Sequence, residues 1–129
     1  MMNTAKKTNV LYIDDDDINL SAFRATLRRQ FNVYTASSAF EGRKVLEIIE
    51  IDIIISDYLM PEMRGIDFLR SIRKDFPKPI RILLTGFADS TLVSEALNNG
   101  DIQSSIYKPW DSDVLISTIN EALRVGGKY

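Results

Sequence analysis

Five short strand-like runs, each followed by a stretch of helical spacing, constrain this chain more than any other feature of its sequence. The runs are Val10-Leu11-Tyr12-Ile13, Asn32 to Ala36, Asp52 to Ser56, Ile80 to Leu84 and Ile102 to Tyr107. The third contains Ile53, Ile54 and Ile55 in succession. Apolar residues on both of its faces point to a central parallel strand covered from two sides. Between the runs, apolar residues recur at the helical period. The stripes are Leu20, Phe23 and Leu27; then Val45, Leu46 and Ile49; Phe68, Leu69, Ile72 and Phe76; Val93, Ala96 and Leu97; and a last helix bearing Val114, Leu115, Thr118, Ile119 and Leu123.

Stop and start signals bound these helices. Asp16 or Asp17 can cap the first. Ser38 and Glu41 form an S-x-x-E capping box that opens a helix running to about Glu50. Pro77 and Pro79 end the third. The fourth spans Ala88 to Asn99 and stops at Gly100, and Asp111 caps a fifth that Gly126-Gly127 stops. Arg24, Arg28 and Arg29 lie largely off the apolar stripe of the first helix. They read as a solvated face, with docking of an acidic partner as the functional alternative. Trp110 reads as a packing residue. Strict alternation of strand and helix implies an α/β fold, a parallel sheet with helices on both faces and right-handed crossovers. In such sheets ligands sit beyond the carboxyl ends of the strands.

The residues at those ends carry chemistry. The first run ends in Asp14-Asp15, the third in Asp57, the fourth in Thr85-Gly86 and the fifth in Lys108-Pro109. One rim thus collects three carboxylates, a hydroxyl and an amine. Clustered carboxylates repel, and a hard divalent cation offsets that repulsion; Mg²⁺ tolerates oxygen ligands completed by water and phosphate oxygens. The backbone carbonyl of Leu59 is a further candidate ligand. Lys108 supplies a point charge suited to a phosphoryl oxygen and Thr85 a hydroxyl donor. A nucleophilic oxygen, a metal and donors to equatorial oxygens are the parts phosphoryl transfer needs. Asp57 is the preferred nucleophile, because it ends the central strand. Taken singly, each feature has an ordinary explanation. Four consecutive aspartates commonly cap or solvate a helix start, Asp57 could open a turn, and Lys108 could be a surface lysine. Their joint placement on one rim argues for a site.

Composition narrows the classes further. A chain of 129 residues fits one domain, and 45% hydrophobic with 26% charged residues is an ordinary globular balance. A net charge of −2 argues against a nucleic-acid surface. With no cysteine and no histidine, the chain has no disulfide, thiolate or imidazole ligand, so any phosphohistidine must reside on a partner. No apolar run approaches membrane-spanning length, and the start lacks a signal-peptide pattern, so a cytoplasmic location is expected. The domain is expected over 9–125, with 1–8 a flexible lead-in and 126–129 a tail or linker start.

Four motifs together resemble the receiver domains of two-component response regulators (CheY-like). They are Val10-Leu11-Tyr12-Ile13-Asp14-Asp15, Ser56-Asp57-Tyr58-Leu59-Met60-Pro61 with Gly65, Leu84-Thr85-Gly86, and Tyr107-Lys108-Pro109-Trp110. The resemblance implies a flavodoxin-like (βα)5 fold, doubly wound, with strand order 2-1-3-4-5. It implies Mg²⁺ at Asp14, Asp15, Asp57 and the Leu59 carbonyl, with Thr85 and Lys108 engaging the phosphoryl group. It implies a phosphoryl donor in a sensor histidine kinase or histidine phosphotransfer protein, and an output domain or downstream protein that the sequence does not identify. A cis peptide at Lys108-Pro109 is implied too. The surface that usually changes spans about residues 88 to 124, where dimerisation is also an expectation by resemblance. The ending Lys-Pro-Trp-Asp and the stretch Thr-Gly-Phe-Ala-Asp resemble receivers joined to phosphodiesterase or phosphatase outputs.

Several positions depart from the pattern. Ser105 stands three residues before the lysine, where receivers usually carry an aromatic switch residue, and Tyr107 is expected on the opposite face. Gly86 replaces a common alanine, and Arg64 a frequent acid. Leu59 and Phe87 are apolar where the family borders the path of hydrolytic water, so slow loss of phosphate is expected. Two rivals stand beside this reading. One is a haloacid-dehalogenase-like phosphatase with Asp14 as nucleophile and Asp16 as acid/base, which leaves the Asp57 motif unexplained. The other is a receiver-like binding module that is never phosphorylated. A flavin-binding domain fits least, because no phosphate-binding loop follows the first strand.

Overall fold

The computed structural model describes residues 7–86 and 91–126. Strands and helices alternate: β1 (Asn9–Ile13), α1 (Asp17–Leu27), β2 (Asn32–Ala36), α2 (Ala39–Ile48), β3 (Ile53–Asp57), α3 (Gly65–Arg73), β4 (Ile80–Thr85), α4 (Thr91–Asn99), β5 (Ser104–Tyr107) and α5 (Ser112–Val125). All four strand pairs are parallel, in the order β2-β1-β3-β4-β5. This is the five-stranded flavodoxin-like arrangement expected. The order reverses between β1 and β3, which sets the rim residues of those two strands side by side.

β3 is buried along its whole length, as its consecutive isoleucines require. Successive side chains of a strand point to opposite faces. Ile53 and Ile55 therefore pack with Phe23, Leu27, Leu115 and Ile119 beneath α1 and α5, while Ile54 packs with Leu46, Phe68, Leu69 and Val93 beneath α2, α3 and α4. Each such isoleucine contributes about 1.5–3 kcal/mol relative to an exposed one.

Several boundaries and contacts differ from the sequence expectations. Asp16 caps α1 by accepting from the Ile18 N–H at 2.9 Å, and Asp17 lies in the first turn, where the helix dipole favours an acid. At α2 the Ser38 hydroxyl accepts from Glu41 N, but the Glu41 carboxylate accepts from Ser37, both N–H and hydroxyl, rather than from Ser38. α2 ends at Ile48, two residues before Glu50. Ala88 and Gly127 lie outside the described residues. Leu97, expected inward on α4, is 40% exposed, whereas Val93 and Ala96 are buried. β5 begins at Ser104, since the Ile102 N–H is taken by the carbonyl of Ala96. Arg24 is exposed, as expected of a solvated face, and also donates to the Val33 carbonyl and the Thr35 hydroxyl, tying α1 to β2. Trp110 packs edge-on against Phe23 at 6.2 Å, as a packing residue should.

Candidate phosphoacceptor site

Backbone hydrogen bonds continue past the strand ends and fix the rim. Asp14 N donates to the Ala36 carbonyl at 3.1 Å, Tyr58 N to Leu84 at 2.9 Å and Lys108 N to Thr85 at 2.8 Å. The residues flanking each chemical group are thereby registered against a neighbouring strand. The peptide Lys108-Pro109 is cis, as the resemblance implied. After β3 the chain turns back so closely that Gly65 lies against the Asp57 carbonyl, and its N–H donates to Tyr58 O at 2.7 Å. The Ser56 hydroxyl also donates to the Asp57 carbonyl, at 3.0 Å.

The side chains converge. Asp14, Asp15 and Asp57 each offer a carboxylate oxygen within 4.8 Å of the others. Asp14 and Asp57 are buried and Asp15 is exposed, so the cup opens to solvent on one side. The ammonium of Lys108 stands 2.6 Å from Asp57 Oδ1. Thr85 is buried at the end of β4, and Leu59 has an exposed side chain beside the cup's third motif. The donor set is oxygen only, which suits a hard cation such as Mg²⁺ rather than a soft one. Burial raises the Asp57 carboxyl above its usual range, and the nearby Asp14 charge adds to the rise, while Lys108 and the Tyr58 N–H oppose it. A cation entering the cup would relieve that penalty.

Two members of the site escaped the sequence reading. The Tyr12 hydroxyl donates to Asp14 Oδ2 at 2.5 Å, and Asn19 Nδ2 donates to the same oxygen at 3.1 Å. Burial, then the Asp14 hydrogen bond and charge, push the Tyr12 phenol far above its ordinary value, so it remains a donor. The strand period could have revealed Tyr12, because residues two apart share a face. The same period corrects the placement of Tyr107. Ile106 packs under α5, so Ser105 and Tyr107 share the other face, and Tyr107 pairs in register with Thr85. Asp16, the acid/base of the phosphatase reading, is spent on the helix cap and is absent from the carboxylate cluster. Phe87 lies outside the described residues.

Comparison with known proteins agrees with this geometry. The family model described as the response regulator receiver domain matches residues 10–120. The hydrogenase transcriptional regulatory protein HoxA of Cupriavidus necator is 36% identical over 122 residues, covering 95% of this chain and 25% of HoxA. The transcriptional regulatory protein GlrR of Escherichia coli is 34% identical over 120 residues, covering 92% of this chain and 27% of GlrR. The chain therefore spans about a quarter of the length of these curated relatives. Among solved structures, the signal receiver domain of an HD domain-containing protein from Pseudomonas fluorescens superposes with a TM-score of 0.87 at 29% identity, covering 96% of this chain and all (100%) of that one. A CheY-like response regulator receiver domain from Methanospirillum hungatei gives 0.87 at 27% identity, covering 95% and 98%. With a shared fold, a match along most of its length and an acidic cup at the strand ends, the chain belongs to the response regulator receiver domain family.

Proposed function

We propose that Asp57 accepts a phosphoryl group from a phosphohistidine on a sensor histidine kinase or a histidine phosphotransfer protein. The observation that carries this reading is the meeting of three carboxylates within 4.8 Å, with Lys108 2.6 Å from Asp57. Asp14, Asp15, Asp57 and the Leu59 carbonyl would hold Mg²⁺, whose charge neutralises the carboxylates and the incoming phosphoryl oxygens. In the transfer, an Asp57 carboxylate oxygen forms the new bond to phosphorus as the P–N bond of the donor breaks, and the imidazole leaves with a proton. Lys108 stabilises charge on a transferring oxygen and Thr85 donates to another. The chain supports only its own phosphorylation and dephosphorylation and is otherwise not an enzyme. The receiver domain occupies 9–125, with 1–8 a lead-in and 126–129 a tail or the start of a linker; phosphorylation changes its protein-binding surface, which passes the signal to an output domain or a separate downstream protein in the cytoplasm. Among the described residues no helix is long and apolar enough to cross a membrane.

Acetyl phosphate with Mg²⁺, followed by peptide mass spectrometry, tests the reading. An acyl phosphate on Asp57 that disappears in Asp57→Asn is the expected result. A label on Asp14 would support the phosphatase-like chemistry instead, and no Mg²⁺-dependent label would support the silent binding module.

A further inference from the structure

Asp14 is the most heavily engaged carboxylate of the cup. A carboxylate offers about four in-plane lone-pair directions. On Oδ2, Asp14 accepts from the Tyr12 hydroxyl at 2.5 Å and from Asn19 Nδ2 at 3.1 Å; on Oδ1 it accepts from Asp16 N at 3.0 Å. What remains for a cation is a single direction on Oδ1. None of the three donors carries a charge.

The donors have little freedom to withdraw. Tyr12 is fully buried in β1, and its ring stacks on Phe23 at 4.1 Å with an interplanar angle of 18°. Phe23 in turn is held edge-on by Trp110. Turning Asp14 to present both oxygens would strand the Tyr12 hydroxyl in an apolar stack, where an unmade hydrogen bond is costly. Asn19 sits half-buried on α1 and closes the same oxygen from the other side.

We infer that Tyr12 and Asn19 are positioning residues that hold Asp14 as a one-oxygen ligand and thereby make the cup select Mg²⁺ over Ca²⁺. This rests on the proposed Mg²⁺-dependent function. The chemistry of the two ions gives the reason. Ca²⁺ gathers six to eight oxygens and readily takes a carboxylate through both of its oxygens, whereas Mg²⁺ demands an octahedron and is content with single carboxylate bonds and water. An Asp14 locked to one oxygen meets the Mg²⁺ requirement and denies Ca²⁺ a two-oxygen contact. The hydrogen bonds also fix the carboxylate plane, which a small, geometrically strict ion needs more than a large, tolerant one.

The test is isothermal titration of the metal-free chain with Mg²⁺ and with Ca²⁺, at fixed ionic strength. The proteins are wild type, Tyr12→Phe, Asn19→Ala and the double variant, with thermal unfolding of each recorded alongside. Tyr12→Phe keeps the ring and its stack and removes only the donor. Mg²⁺ binding should weaken about tenfold, in line with other outer-shell substitutions, while Ca²⁺ binding holds or tightens. The ratio of the two affinities should then fall about tenfold, with a smaller fall in Asn19→Ala and a larger one in the double variant. Equal weakening of both ions would mark a purely structural role and overturn the inference, as would an unchanged ratio in both single variants. If Tyr12→Phe fails to fold, the ratio in Asn19→Ala decides by the same criterion. A wild type that does not bind Mg²⁺ overturns the proposed function and this inference together; a wild type that binds with an unaltered ratio in the variants overturns this inference alone.

Discussion

Gly65→Ala places a methyl group where the end of β3 already sits. A Cβ built on Gly65 would lie 2.0 Å from the Asp57 carbonyl oxygen, 2.9 Å from Ser56 Oγ and 3.0 Å from the Asp57 carbonyl carbon. Real Cβ contacts essentially never fall below 3.0 Å, so the two backbones must part by about an ångström. Neither side has a rotamer to yield, because the closest atom is main chain. Parting also strains the Gly65 N–H bond to Tyr58 O at 2.7 Å. Overpacking of this kind costs about 1–3 kcal/mol, here toward the upper end, and the strained hydrogen bond about 1 kcal/mol more. Alanine returns at most about 1 kcal/mol of helix propensity at the start of α3. The net is a loss of about 2–3 kcal/mol, read as a urea midpoint lowered by roughly 1–2 M. The moved carbonyl belongs to Asp57, the proposed phosphoacceptor. An ångström of misplacement costs on the order of 100-fold in rate, so labelling by acetyl phosphate should slow beyond what the lost stability explains. Gly86→Ala is the control: among the described residues nothing lies within 4 Å of its Cβ, and stability should stay within about 0.5 kcal/mol of wild type. A Gly65→Ala protein with the wild-type urea midpoint and labelling rate would refute the steric reasoning.

Other perturbations read other parts of the molecule. Lys108→Ala removes a cation 2.6 Å from Asp57 that competes with a metal for the same carboxylate. Calorimetry should show Mg²⁺ binding tightened by about 1 kcal/mol while phosphate uptake falls; weaker Mg²⁺ binding would contradict this. Leu59→Asn should speed loss of phosphate from Asp57 by admitting water at an apolar rim position, and an unaltered decay would dismiss the idea. At the opposite end of the sheet, buried Asp101 accepts from Arg70 at 2.9 Å and from Arg73 at 3.0 Å. Burial alone would raise its carboxyl, but the two guanidinium bonds outweigh it and hold the group below its usual range. A depressed folded value means that its stabilisation is present above the unfolded value of about 3.9 and is lost as pH falls through the folded one. Asp101→Asn should therefore cost about 1–2 kcal/mol near neutrality, and the gap to wild type should close as the pH drops below about 4. Urea midpoints with a constant gap across that range would show that the arginines do not set the carboxyl's charge.

The parts of this fold that are legible in the sequence are those set by one-dimensional spacing. The isoleucines of β3 announce a strand buried on two sides, and Asp16, Ser38 and Asp111 announce helix starts, because each signal acts within a few residues. Strand order has no such local signal and entered only through the family resemblance. Leu97 shows the limit of periodicity. It lies four residues after Val93 on the same stripe, yet only Val93 and Ala96 of α4 are buried, and how squarely a helix sits is decided by its neighbours. Arg24 is exposed as expected, but its partners were not legible for a related reason: a long side chain beside an edge strand can fold back to its carbonyls, here that of Val33.

The site divides along the same line. Asp14, Asp57, Thr85 and Lys108 were readable because a parallel sheet fixes where strand ends go, and the hydrogen bonds from Asp14, Tyr58 and Lys108 carry that order to the rim or one residue past it. Register alone, however, leaves a carboxylate free to rotate. The orientation of Asp14 comes instead from Tyr12, two residues earlier on the same face, and from Asn19, brought over by α1. The aspartate at 57 is steadied differently, chiefly by the Lys108 ammonium with help from the Tyr58 N–H. A metal or a phosphoryl group can displace a lysine ammonium but cannot easily displace a buried phenol. The cup is thus rigid on the β1 side and adjustable on the β3 side. That asymmetry suits the proposed function, in which one carboxylate holds still while its neighbour changes its covalent state.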